Sequence, residues 1–557
     1  MWGVAQRRWR WRVRRFAIES AQRSRRSERR VSSPRGSGIT LAGLGRIAGV
    51  VIVPIAIASL ATTAAIARSR HAARSKGPTC RIRPNPARCP KPPSVGTSVR
   101  VVLTTGDMSQ ALASQPPLTF QSRAPRGAEV IHVNDQRMYQ TFLGAGATMT
   151  DTSAWLIDTL PQAVRAGLIQ SLFGARGIDL SFMRLPIGAS DFTAGGVPYT
   201  YDDTPIGVQD PRLMHFSIAH DQAYTIPTLL EVLAVRPQSW IMASPWTAPA
   251  WMKTNDRLDN MGDSGELEPA EYGAFARYIV KFIKAYQREG IPIAAVTPQN
   301  EPRNPTAYPG MALDEAGEAA FVRFHLAPAL RRAHLGTEIF GYDKGWAAAS
   351  LPFAVRLARS RSASSLAGIA THCYYGAPTV MGLLHQKNPK LAQIVSECSP
   401  GITPYSTSEL EISSLRNWAS AVALFNLALD PDGGPVQPPN TGCPGCTGVV
   451  TIDEVSHRVT PTIDYYELGQ LSRFVQGGAV RVGTNHFVAY GYPGANGNIA
   501  TAGLDDVAFR NPDGTNALLA YNGAATPVTL AIESRGSYAP YVLPPGATAT
   551  FVWDPGN

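Results

Sequence analysis

Beyond residue 76 this 557-residue chain has no excess of basic side chains. The formal charge of +11 belongs to the N-terminus: residues 1–76 set 17 Lys and Arg against Glu19 and Glu28, whereas the other 481 residues hold 35 basic and 39 acidic side chains. A mildly acidic body has no electrostatic footprint for nucleic acid, which is excluded as a partner. No Gly-rich dinucleotide loop is present, so an open doubly wound sheet is left without its usual signature. Cysteines number only six. Cys443 and Cys446, in "CPGC", have no second pair or histidine at ligand spacing, which disfavours zinc and leaves a local disulfide or two thiols. No cluster implies a metal or organic cofactor. Neither an internal repeat nor a low-complexity tract occurs outside the N-terminus.

One stretch has no charge at all. "IAGVVIVPIAIASLATTAAIA", residues 47–67, follows the arginine-rich "RRWRWRVRR" and "RSRRSERR" of a basic tail over 1–46. Its 21 residues are long enough to cross a bilayer. The flanking arginines place the N-terminus in the cytoplasm and everything after residue 70 outside. The segment is either an anchor holding the chain at the membrane or a signal peptide cleaved near Ala67 to release it. Cysteines suit an exported protein, and Cys80 and Cys89 bracket a Pro-rich stretch as a local staple. Residues 68–97 read as a linker.

From residue 98 the texture becomes globular. "SVRVVLTT" and "AEVIHV", within 98–140, are short strand-like runs expected to join a β-sandwich. Over 141–440 apolar runs alternate with helical stretches. "TFLGAGAT", "DLSFMRLP", "SWIMASP", "IAAVTPQ", "EIFGYD", "GIATHCYY", "QIVSEC" and "VALFNLAL" are eight candidate strands. Between the third and fourth, Tyr272, Phe275, Ala276, Ile279, Phe282, Ile283 and Tyr286 recur at helical spacing, bounded by Pro269 and Gly290. Eight strands with helical intervals over about 300 residues predict an α/β fold, a (β/α)₈ barrel. Residues 441–557 return to strands and turns, with "NPDG" as a hairpin signal, and predict an attached all-β sandwich.

In such a barrel, chemistry sits at the C-terminal ends of strands. Glu301 in "VTPQNEPRNP" ends the fourth candidate strand, and Glu397 in "IVSECSP" ends the seventh. Cleaving an acetal between sugars needs two carboxyl groups, one to protonate the leaving oxygen and one to meet the charge growing at the anomeric carbon. Asn300, beside the first, can hydrogen-bond a sugar 2-hydroxyl. Each carboxylate alone could equally be a salt-bridged loop residue, and Pro302 restricts Glu301 to extended backbone in either case. Trp246, His372 and Tyr374 also end strands, where aromatic faces stack on sugar rings and polar tips take hydroxyls. Trp251 reads as packing. Asp151 and Arg184, near the ends of the first and second strands, stand where a hydroxyl binder and a carboxylate partner would sit.

The chain from about residue 100 onward resembles family 30 of the glycoside hydrolases, most of all its glucosylceramidase branch. "GAGATMTDTSA", "MRLPIGASDFT", "YTYDDTP", "SPWTAPAWMKTN", "TPQNEP", "SECS" and "FNLALDPDGGP" carry the likeness in order. The resemblance implies a barrel with an attached sandwich and a retaining mechanism with Glu301 as general acid/base and Glu397 as nucleophile. Asp151, Trp246, Asn300, His372 and Tyr374 would line the sugar subsite, with Arg184 supporting Glu397. Phe425 stands where that branch often has Trp, which keeps a stacking face without an indole donor. Cys373 and Cys398 would lie near each other at the barrel mouth, and whether they pair is left open. The expected substrate is a β-linked glycoside, glucosylceramide-like first. A β-1,6-glucan or xylan cleaved by the same machinery is the alternative, and a non-catalytic carbohydrate-binding envelope protein is the reading from another class. For the mechanism, Glu397 is expected to be ionised and Glu301 to have a raised pKa.

Overall fold

The computed structural model describes residues 96–403, 405–437, 443, 445–487 and 503–556. The basic tail, the apolar segment 47–67, the Pro-rich linker with its Cys80 and Cys89, and most of "HFVAYGY" lie outside the described residues. Among the described residues no helix is long and apolar enough to cross a membrane.

Eight parallel strands close into a barrel. In chain order they are β1 (Gly144–Thr148), β2 (Phe182–Ile187), β3 (Trp240–Pro245), β4 (Ala295–Val296), β5 (Glu338–Gly345), β6 (Gly368–His372), β7 (Ala392–Glu397) and β8 (Ala419–Leu424). Pairing of β8 with β1, Ala421 opposite Gly144, completes the ring. Each strand lies within or across one of the eight apolar runs of the sequence. The helix predicted from the 3.6-residue period spans Tyr272–Arg288, and all seven apolar positions of its stripe are buried.

The interior is layered. Phe182, Met242, Ala295, Phe340, Ala370, Ile394, Ala421 and Ala423, drawn from β2 to β8, form one apolar cluster. Side chains on a strand return to the same face every second residue. Two positions further along therefore come Arg184, Ser244, Thr297, His372 and Ser396, a polar layer directly above the apolar floor. Asp343 would miss this layer in a regular β5. The β5–β6 register slips between Tyr342 and Lys344, and Tyr342 and Asp343 both take positive φ, 77° and 44°. The β6–β7 register slips again between Val395 and Glu397. Local irregularity of this kind re-aims side chains beside functional sites.

The second layer is a nine-stranded sheet that mixes both ends of the globular chain. Ser98–Thr105 pairs with Ala547–Trp553, and Glu129–Thr141 lies between Val480–Gly483 and Val528–Ser534. Its own core includes Val101, Phe120, Ile131, Leu518, Phe551 and Trp553. Three of its strands escaped the sequence reading, Val480–Gly483 and two that carry proline, Ala113–Thr119 and Ser537–Leu543. The latter two are the ends of the strand order, where a missing N–H costs no ladder bond. The boundary predicted at 441 also shifts. Val450–Asp453 pairs with Ala428–Leu429 beside the barrel, in a small sheet separate from the nine-stranded one.

The seam between barrel and sandwich is polar. Thr548 donates to Ser408 at 2.7 Å, Thr550 to the Gln470 carbonyl at 2.7 Å, and Gln470 to Thr104 at 2.8 Å. Carboxyl groups are buried here. Burial pushes Glu467 up to about 8 and Glu409 up to about 7, and on the far side of the barrel Glu318 up to about 8. Below about pH 4.5 these groups are protonated whether the chain is folded or not. As pH rises the unfolded chain ionises first, so folded stability falls until the buried groups follow. The thermal midpoint should therefore decline from about pH 5 to about pH 8, with Glu467→Gln and Glu318→Gln flattening the slope. A midpoint that rises over this range would contradict the assignment.

Candidate active site

Arg184 is fully buried in the polar layer and makes three charged or polar contacts. Its Nη1 donates to Glu397 Oε2 at 2.7 Å. Its Nη2 donates to Asn300 Oδ1 at 2.7 Å and Asp343 Oδ2 at 2.9 Å. The guanidinium lies 4.8 Å from the centre of the Trp246 ring, a cation–π distance. Asn300, having given its oxygen to Arg184, is fixed with its Nδ2 donor as the group left for a hydroxyl.

Asp343 is the counterweight. It accepts from Ser244 at 2.7 Å, Thr297 at 2.9 Å, Ser396 at 2.6 Å and His372 Nε2 at 3.1 Å, in addition to Arg184. Burial opposes its ionisation, but Arg184 beside it, with His372 and Ser244, holds its carboxyl far below the usual range. The sequence reading did not select Asp343. It ends "EIFGYD" as Glu397 ends "QIVSE", and that shared position, a lone acid closing a barrel strand, was the signal available.

His372 links the acids. Its Nε2 meets Asp343, and its Nδ1 lies 3.1 Å from Glu301 Oε1 and 3.7 Å from Glu397 Oε1. Burial disfavours the imidazolium, yet Glu397, Asp343 and Glu301 together push its pKa up to about 10. His372 is therefore a cation at neutral pH, and it carries a proton at hydrogen-bond distance from Glu301.

Oxygens of Glu301 and Glu397 lie within 4.8 Å of one another and of a His372 nitrogen. Direct attack by one carboxylate of a pair takes a separation of about 5–5.5 Å, and water-mediated inversion about 6.5–9.5 Å. The observed spacing belongs to the first class. Glu301 departs from the extended backbone expected before proline and has φ 47°. Its N–H donates to the Asp343 carbonyl at 2.9 Å and its own carbonyl accepts from Asn304 N–H at 3.0 Å. These bonds over-determine a conformation that costs free energy and clusters at functional sites.

The expected order of the two acids is reversed in the free site. Burial works against ionisation of Glu301, but the hydrogen bond and charge of His372, with Lys344 and Asn304, hold its carboxyl below the usual range. Burial raises Glu397, and the neighbouring charges of Glu301 and Asp343 add to it against the pull of His372 and Arg184. His372, one hydrogen bond away, is raised while Glu301 is lowered by the same contact.

An aromatic group stands beside Arg184. Trp246 and Phe425 stack at 6.2 Å, and Phe192 and Cys446 pack with them. Tyr374 is raised well above an ordinary phenol by burial and by the charges of Glu397, to which it hydrogen-bonds, and Glu301. Cys373 pairs with Cys398 and Cys443 with Cys446 as disulfides. Asp151 does not reach this cluster, because its carboxylate accepts from Ala194 N–H at 2.7 Å, Tyr224 at 2.7 Å and His220 at 2.9 Å. It pins the loop after β2 instead. That loop carries Asp191, a buried acid raised well above its ordinary range by burial and by the charges of Glu397 and Glu301. Its Oδ1 has no protein partner. Asp191 and Tyr308, which is likewise raised by burial and by Glu301, Asp191 and Glu397, were both missed. Each lies in a loop beyond a strand end, where period gives no guidance.

Residues 142–475 match the glycosyl hydrolase family 30 TIM-barrel domain and residues 478–551 the family's beta sandwich domain. The chain belongs to glycoside hydrolase family 30 and is a glycosidase. It is similar to the endo-1,6-beta-D-glucanase of Neurospora crassa, 32% identical over 73% of this chain and 86% of that protein. The lysosomal acid glucosylceramidase of Mus musculus is 28% identical over 76% of this chain and 83% of that one. Among solved structures, an endo-beta1,6-glucanase superposes with a TM-score of 0.71 at 27% identity, covering 82% of this chain and 99% of that chain.

Removing one partner of a buried ion pair leaves an uncompensated charge, at a cost of about 3–5 kcal/mol. Arg184→Ala should lower unfolding stability by that amount and abolish turnover. A stable Arg184→Ala enzyme with full activity would contradict the central place given to this residue.

Proposed function

We propose that the protein is a retaining β-glycoside hydrolase acting on a β-1,6-linked glucan. The mechanistic half of this reading rests on one observation, the pair of carboxylates within 4.8 Å across the barrel mouth. The substrate half rests on the relatives: the fungal endo-1,6-glucanase is closer in identity than the mouse glucosylceramidase, and the glucan reading takes precedence over the glucosylceramide one favoured from motifs alone. Retained carboxylates with ordered support weigh against a non-catalytic binding protein.

In this reading Glu397, with Arg184 at Oε2, attacks the anomeric carbon through its other oxygen. His372 passes its Nδ1 proton to Glu301 across their hydrogen bond, and the C–O bond to the leaving sugar breaks as Glu301 delivers that proton to the leaving oxygen, which leaves Glu301 ionised and His372 neutral. Water, deprotonated by Glu301, then releases the glycosyl group from Glu397 with a second inversion. Trp246 and Phe425 stack on the ring, and Asn300 takes the 2-hydroxyl. Because Glu397 must be ionised to attack, the acidic limb of kcat/KM should fall above the ordinary glutamate range. Loss of the proton shared by His372 and Glu301 sets the alkaline limb.

The test is a panel of β-1,6-glucan, β-1,3-glucan, xylan, glucosylceramide and aryl β-glucosides, with NMR of the first-formed anomer. β-1,6-Glucan should be cleaved best, with a β-configured first product. Glu301→Ala should slow β-1,6-glucan at least about a hundredfold more than an activated aryl glucoside. An α-configured first product would contradict the mechanism, and preference for glucosylceramide would restore the motif-based substrate.

A further inference from the structure

The ladder that carries Glu397 is irregular beside the site. The β6–β7 pairing slips between Val395 and Glu397 and ends on the pair Glu397–His372. Beyond it one backbone bond remains, from Cys373 N–H to the Glu397 carbonyl at 3.2 Å. At that open end, one residue past each partner, Cys373 and Cys398 are joined with their Cα atoms 5.2 Å apart. Both are fully buried.

The disulfide is wired to the site on every side. Cys373 lies between His372 and Tyr374, both of which contact Glu397. Cys398 follows Glu397, and its carbonyl accepts from Phe425 N–H at 2.8 Å, which hangs the aromatic group beside Arg184 from the same bond. The Cys373 carbonyl accepts from the Tyr405 hydroxyl at 2.7 Å. A staple meant only for fold stability gains most by closing a long loop between distant parts of the chain. This one joins adjacent parallel strands 25 residues apart, already held in one barrel.

We propose that the Cys373–Cys398 disulfide is a positioning element of the active site, fixing Glu397 against His372 and Tyr374 where the β-ladder no longer does. This rests on the reading of Glu397 as nucleophile. A misplacement of about 1 Å at a reacting group costs on the order of a hundredfold in rate. The double variant C373A/C398A should therefore lose about 10–100-fold in kcat on an aryl β-glucoside, measured well below its melting temperature, with KM changed less than about threefold. The acidic limb of its kcat profile should also move, because the His372–Glu397 spacing relaxes. An unchanged kcat and unchanged limb with only a lower thermal midpoint would reduce the disulfide to a stabilising staple and overturn the proposal. If the double variant does not fold, the unaltered enzyme serves. A phosphine reductant is oxidised as it opens the bond to two thiols, and peptide mapping separates this disulfide from Cys443–Cys446. Activity should track the fraction of molecules with Cys373–Cys398 intact and return on reoxidation; full activity in molecules with that bond open overturns the proposal. Glu397→Gln with the cysteines untouched tests the underlying reading separately, since turnover surviving that change removes the nucleophile whatever the disulfide does.

Discussion

A guanidinium without solvent contact sets the terms for everything around it. Burying Arg184 is affordable only because Glu397, Asp343 and Asn300 all receive its protons. Those acceptors come from β7, from β5 and from the turn after β4, so one side chain ties three parts of the barrel mouth together. Asp343 must stay ionised to hold Arg184, and Arg184 itself, with His372 and Ser244, keeps it so. Any change that neutralises Asp343 or removes Arg184 leaves the other charge stranded in the barrel, and Glu397 and Asn300 lose a reference point together.

The same cluster explains why His372 takes a proton far more readily than an ordinary imidazole. Glu301, Glu397 and Asp343 supply three negative charges against Arg184, and a protonated His372 brings the balance closest to neutral. A proton on His372 Nδ1, 3.1 Å from Glu301, is available for delivery without requiring Glu301 itself to hold it at rest. The textureless rule that a general acid must have an elevated pKa applies here to the hydrogen-bonded pair.

Barrel topology was legible because it is written in apolar runs. All eight strands fell on the stretches picked out by composition and spacing, and Glu301 and Glu397 could be placed because each ends such a run. Legibility stopped where the backbone departs from regularity. Asp343 reaches the polar layer through a register slip that a two-residue period does not predict. Asp191 and Tyr308 sit in loops held by other loops. Asp151, placed beside the sugar by position alone, is consumed by Ala194, His220 and Tyr224. The two proline-bearing edge strands of the sandwich were hidden by a rule that holds only for interior strands.

The mechanism proposed above passes through a covalent glycosyl-enzyme intermediate, and the most direct test is to catch it. A 2-deoxy-2-fluoro-β-glucoside with a good leaving group slows both steps, the second more, and should leave the sugar on the enzyme. Mass spectrometry of the digested protein should find one added fluoroglucosyl group, on the peptide carrying Glu397 and on that residue. The same label on Glu301, or steady turnover with no covalent species at any time point, would contradict the account.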